Sequence, residues 1–136
     1  VRTASIKGQI YPLRDIKDVL FAIERLDDAS QGFKLSPSLW PHFRYRSEGD
    51  TRREVWQTPD ELERSCVGDC EDLANYLVQL ARQLGQMSHV EILTLPSYLH
   101  AVTWCDGRLF DACPLKGMPV DNEYAALVAA RKIIFV

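Results

Sequence analysis

The chain has 136 residues, 46% of them apolar and 26% charged, with a formal net charge of −3. That balance suits one globular domain, long enough to bury about two-thirds of its unfolded surface. It argues against nucleic acid as the partner, and no segment is long and apolar enough for membrane insertion. Four cysteines are too few for a disulfide scaffold, so the thiols point to chemistry or packing.

The chain opens Val1-Arg2 with neither a methionine nor a signal-peptide pattern, which reads as a processed or trimmed start and identifies no compartment. Residues 1–55 read as an N-terminal helical part. Ile10 to Leu26 has Pro12 near a helix start, with Leu13, Ile16, Val19, Leu20, Ile23 and Leu26 as an apolar face. Asp27 to Lys34 reads as a loop. Ser36-Pro37 begins a short helical turn that lays Trp40 and Phe43 over the core. The arginines from Arg44 to Arg53 are offset by Glu48, Asp50 and Glu54, as in a solvated loop. Ser47-Glu48-Gly49-Asp50-Thr51 is a turn-rich connector.

Thr58-Pro59-Asp60-Glu61 has capping-box spacing with proline at the first helical position, so a short helix follows. Glu71 to Gly85 carries Leu73, Leu77, Leu80 and Leu84 at helical spacing, and Gly85 is its stop. Cys70 extends that stripe at its N-terminal end, so its sulfur points inward. Val90 to Leu95 reads as a strand, Tyr124 to Lys132 as a helix, and Ile133 to Val136 as a closing strand.

The densest chemical signal is Gly68-Asp69-Cys70-Glu71-Asp72 at the start of the Glu71–Gly85 helix. A cysteine there meets the positive end of the helix macrodipole, which favours the thiolate. Downstream, Asp106-Gly107 is a tight hairpin turn between Tyr98–Cys105 and Arg108–Cys113. As a two-residue loop it pairs Cys105 with Arg108, Thr103 with Phe110 and Val102 with Asp111. His100 then lies diagonal to Asp111 on the same face, about 7–8 Å apart by backbone position. A loop one residue longer would put them on opposite faces. Cysteine, histidine and aspartate in that order supply a nucleophile, its base and an orienting carboxylate. Cys70 alone combines a helix start with a histidine partner, so it is expected to be the most reactive of the four thiols.

Trp56-Gln57-Thr58-Pro59, Gly68-Asp69-Cys70-Glu71-Asp72-Leu73-Ala74, His100-Ala101-Val102 and Phe110-Asp111 together resemble the transglutaminase-like cysteine peptidases. The similarity is to their compact bacterial branch in particular and covers roughly residues 55–114. It implies an α+β, papain-like core in which the nucleophile's helix packs on a small antiparallel sheet. On this resemblance residues 1–136 form a single transglutaminase-like domain whose catalytic core is 56–114. Cys70 is the nucleophile, His100 the general base and Asp111 its orienter, cleaving amide bonds of a protein or peptide through an acyl-enzyme. Transamidation uses the same intermediate. The intervals from Cys70 to His100 and from His100 to Asp111 are short for the family, which trims the loops around the cleft. The Cys70 N–H is the expected oxyanion donor, with Trp56 and Gln57 candidates for a second.

No cofactor is required by this chemistry. Some members of the branch bind calcium beside the cysteine, and Asp69 and Glu71 match those positions, although no further acidic cluster is visible in the sequence to complete a site. The plainer reading makes Asp69 a helix cap and Glu71 a first-turn acid. Zinc on Cys66, Cys70, His100 and Cys113 is a rival, but Cys66-x3-Cys70 and Cys105-x7-Cys113 lack the usual paired knuckles. Cys66 otherwise reads as packing or a regulatory disulfide partner of Cys70, and His42 and His89 as structural. A binding or structural module with an idle triad, such as a virion or secretion-system component, is the non-enzymatic alternative.

Overall fold

The computed structural model describes residues 1–49 and 52–136, so Asp50 and Thr51 of the connector lie outside the described residues. It is a mixed α+β fold with three small sheets. The N-terminal part is not helical from Ile10, as periodicity suggested. It opens with a hairpin of β1 (Thr3–Ile6) and β2 (Gln9–Pro12), turned at Lys7 and Gly8, both with positive φ. Pro12 ends a strand, where its missing N–H costs no ladder bond. Helix α1 (Ile16–Ala29) starts at Asp15, whose side chain accepts the Asp18 N–H. It runs three residues past Leu26 into the expected loop. Ala22, Ile23 and Leu26 are buried, whereas Ile16 and Leu20, expected on that face, are exposed.

After a 3-10 turn (Pro37–His42) come β3 (Arg44–Tyr45), β4 (Arg53–Val55), α2 (Pro59–Ser65) and β5 (Val67–Gly68). Strand β4 joins the β1–β2 hairpin in parallel with β1, and β3 pairs with β5. The capping box of α2 forms as the sequence predicts, between Thr58 and Glu61.

Helix α3 (Cys70–Gln83) lies on one face of the largest sheet, built from β6 (Ser88–Thr94), β7 (Leu99–Cys105), β8 (Arg108–Asp111) and β9 (Ile134–Phe135) in that order. Thr103 Oγ1 donates to the Ala74 carbonyl at 2.9 Å and Ser88 Oγ to that of Val78 at 2.8 Å, tying helix to sheet. Gly85, with φ of +82°, stops the helix as predicted, but Leu84 is exposed rather than part of the buried stripe. Helix α4 (Asn122–Arg131) covers the opposite face, where Tyr124 packs among Val102, Leu109 and Ile133. Because α4 carries the chain back before β9, β9 pairs in parallel with β8. The expected wholly antiparallel sheet is therefore a mixed one.

The β7–β8 hairpin has the predicted register, with Thr103 opposite Phe110 and Cys105 opposite Arg108. Asp106 and Gly107 both adopt positive φ, as a type I′ turn requires. Gly68 sets the approach to the cysteine. A Cβ there would lie 2.9 Å from the Asp72 Cβ and 3.0 Å from Leu62 Cδ1, so only glycine lets β5 pass so close to the first turn of α3.

Candidate active site

Cys70 is the first residue of α3, and Asp69 is its N-cap. Asp69 Oδ1 accepts the Cys70 N–H at 2.7 Å, while Asp72 Oδ2 accepts the Asp69 N–H at 3.0 Å, closing a capping box. The capping reading of Asp69 therefore holds. Asp72, not Glu71, is the reciprocal acid. Glu71 turns instead toward Cys70, whose thiol donates to Glu71 Oε2 at 3.2 Å, and Glu71 Oε1 is buried with no hydrogen-bond partner among the described residues.

His100 and Asp111 are both buried and meet directly, Nε2 to Oδ2, at 2.7 Å. This is the pairing that the two-residue turn predicts. With Nε2 engaged, Nδ1 has no hydrogen-bond partner among the described residues. Asp111 also accepts the Cys113 N–H at 2.9 Å and the Tyr124 hydroxyl at 2.5 Å. These donors hold its carboxyl below the usual range despite burial, with His100 contributing most. Cys70 and His100 line one cavity of about 710 Å³ together with Asp69, Glu71, Glu54 and Trp56. The backbone of Ala101, next to His100, faces the Cys70 sulfur. Among the described residues, no hydrogen bond joins Cys70 to His100.

The pull of the helix N-terminus toward the thiolate does not prevail at Cys70. Burial, then the charges of Glu71 and Asp69, push the Cys70 thiol well above its ordinary value, outweighing the helix dipole. Burial raises Glu71 strongly, with Asp72 and Asp69 adding repulsion. Burial raises Asp72 as well, to about 7, against the three N–H bonds that it accepts, two from Gln57 and one from Asp69.

A carboxyl raised in the folded state favours folding below its unfolded value, and that stability is lost as pH climbs from about 4.5 toward the folded value. Glu71→Gln, which cannot ionise, is therefore expected to raise the melting temperature at pH 8 relative to the parent and to leave it unchanged at pH 4. Scanning calorimetry at the two pH values checks this.

The donors of Trp56 and Gln57, expected as candidates for an oxyanion, are engaged elsewhere. Gln57 uses its N–H and side-chain amide on Asp72 and the Val67 carbonyl, and accepts from Ser65. Trp56 commits its backbone N–H to Ser5 and Nε1 to Glu54. Cys66 points to the Glu63 carbonyl, at 3.5 Å, and Cys113 groups with His100 and Asp111, so the four proposed zinc ligands are not gathered among the described residues. All four thiols are free. His89 stacks on Trp104 with centroids 4.8 Å apart, and His42 ends the 3-10 turn.

Two contributions were not visible in the sequence. Tyr124 comes from α4, beyond the expected core of 56–114. Glu48 and Glu54 come from before it, and their carboxylates gather within 4.8 Å of that of Asp69. Glu54 is also ion-paired with Arg2. Nothing local marks these residues, because a long-range contact leaves no periodic signature. Among the described residues, no helix is long and apolar enough to cross a membrane. Compared with protein families, curated proteins and solved structures, the chain matches none, so the geometry of these residues carries the functional argument alone.

Proposed function

We propose that this chain is a cysteine hydrolase of amide bonds, a peptidase built on a papain-like, transglutaminase-like core. The observation that carries the reading is the buried His100–Asp111 pair, 2.7 Å apart, lining the same cavity as a cysteine at a helix N-terminus. In the reaction His100 Nδ1 takes the Cys70 proton as the sulfur attacks the substrate carbonyl, and the new S–C bond replaces the C–N bond. The imidazolium passes that proton to the departing amine. Water, activated by the same nitrogen, then hydrolyses the acyl-enzyme. Because the resting thiol is protonated, this is base-assisted attack rather than attack by a standing ion pair. The Cys70 N–H is the natural oxyanion donor, and it becomes available when Asp69 Oδ1 releases it.

Calcium is part of this proposal. Glu48, Glu54 and Asp69 form a hard oxygen set, and the partnerless Glu71 Oε1 beside them is the kind of buried acceptor a cation satisfies. Bound there, calcium would offset the acids that raise the Cys70 thiol. Excess calcium is expected to raise the melting temperature and speed Cys70 alkylation over EGTA-treated protein. No change in either leaves Asp69 as a helix cap only.

One observation favours the idle-module reading. The Cys70 thiol is bonded to Glu71 and its N–H to Asp69, so both reacting groups rest on acids. Mass spectrometry after incubation with a peptide library separates the two: a Cys70 acyl adduct, missing in Cys70→Ala, supports the enzyme. Adding a primary amine then distinguishes hydrolysis from transamidation by the product formed.

A further inference from the structure

Tyr124 lies outside every motif of the site, yet it is the residue most firmly attached to its orienting acid. Its hydroxyl donates to Asp111 Oδ2 at 2.5 Å, the same oxygen that His100 Nε2 meets at 2.7 Å. Its ring stands edge-on to the His100 imidazole, centroids 4.8 Å apart and planes at 69°. The side chain is 1% exposed. Burial and Asp111 both push the phenol above its ordinary value, so it stays a donor.

The first turn of α4 is fastened to the segment that leads into β7. Asp121 accepts the Tyr124 N–H at 2.8 Å and, with its other oxygen, the Tyr98 hydroxyl at 2.9 Å. Glu123 accepts both the N–H and the hydroxyl of Ser97. Those bonds hold Tyr124 in a fixed relation to the residues just before His100. On the other side, the Val136 N–H donates to the Asp111 carbonyl at 3.0 Å, so the chain beyond α4 also returns to the acid. A buried tyrosine hydroxyl needs an acceptor, and here the acceptor is the carboxylate that also holds His100.

We infer that Tyr124 is a positioning residue of the hydrolase, fixing the Asp111 carboxylate through Oδ2 and walling the His100 ring in the cavity that it shares with Cys70. The inference rests on the reading of Cys70, His100 and Asp111 as a catalytic group. Losing the hydroxyl frees the carboxylate to rotate and removes one of the donors that keep it ionised. The titratable groups facing Asp111 are His100 from β7, Tyr124 from α4 and Cys113 just past β8.

The test uses the full chain with carboxyl-13C-labelled aspartate, and Tyr124→Phe, which keeps the ring. The Asp111 titration midpoint is expected to rise by about 0.5 pH units or more. The rate of Cys70 alkylation by iodoacetamide at pH 8 is expected to fall about tenfold, since small misplacements of a catalytic group are costly. If Tyr124→Phe does not fold, biosynthetic 3-fluorotyrosine gives a stronger phenol donor in an intact protein, and the Asp111 midpoint should move down instead. A folded Tyr124→Phe, or a fluorotyrosine protein, with an unmoved Asp111 midpoint overturns the inference, as does an unchanged alkylation rate in folded Tyr124→Phe. His100→Ala separates the two levels: if it leaves Cys70 alkylation unchanged, the catalytic reading fails, whatever Asp111 does.

Discussion

Replacing Asp111 with alanine is expected to cost about 3–5 kcal/mol of stability and to abolish turnover together, because one carboxylate serves both. It is fully buried and accepts from His100 Nε2, the Tyr124 hydroxyl and the Cys113 N–H. Alanine leaves these donors facing apolar surroundings, and a buried unpaired donor costs about 1–3 kcal/mol. Against a total of about 5–15 kcal/mol for a domain, that loss is large. The effect has a pH signature. Asp111 is lowered in the folded state, so its contribution is full above the unfolded value of 3.8 and is lost as pH falls through the folded one. Urea unfolding should therefore separate parent and variant widely at pH 7 and less at pH 3. Asp111→Asn keeps the shape but not the charge, and should recover part of the stability without the activity. Equal unfolding midpoints for parent and Asp111→Ala at pH 7 would remove the carboxylate from its central place in the site.

The His100–Asp111 pair is legible in the sequence because its geometry is local. Two turn residues set the register, and the register alone puts His100 and Asp111 on one face of the hairpin. The capping residues Thr58 and Asp69 are legible for the same reason, since a cap involves residues three apart. The N-terminal hairpin is hidden because apolar residues from Ile10 to Leu26 satisfy a helical period as well as a strand followed by a helix. Lys7-Gly8 is the available turn signal, weaker than Asp106-Gly107 because lysine seldom takes positive φ. The charge state of the Cys70 thiol escapes the sequence for a different reason. A helix dipole can be read from position, but burial and the convergence of Glu71 and Asp69 on one sulfur depend on packing. Tyr124, Glu48 and Glu54 reach the site only through tertiary contact, and their spacing from Cys70 holds no information about it.

Cys70→Ala is expected to eliminate labelling by an electrophilic peptide probe such as an acyloxymethyl ketone, and His100→Ala to reduce it by about 10²–10⁴. The thiol of Cys70 is held protonated by burial and by its acidic neighbours, so it needs a base at the moment of attack. His100 is the candidate, with its Nε2 already committed to Asp111 and its ring lining the cavity that holds the sulfur. Cys66 provides the internal control, a half-buried thiol turned to the Glu63 carbonyl and not among the described residues that line the cavity of His100. The probe should map to Cys70 in the parent protein and leave Cys66 unlabelled. Labelling centred on Cys66, or labelling of Cys70 that ignores the loss of His100, would turn the reading toward a module whose triad is idle.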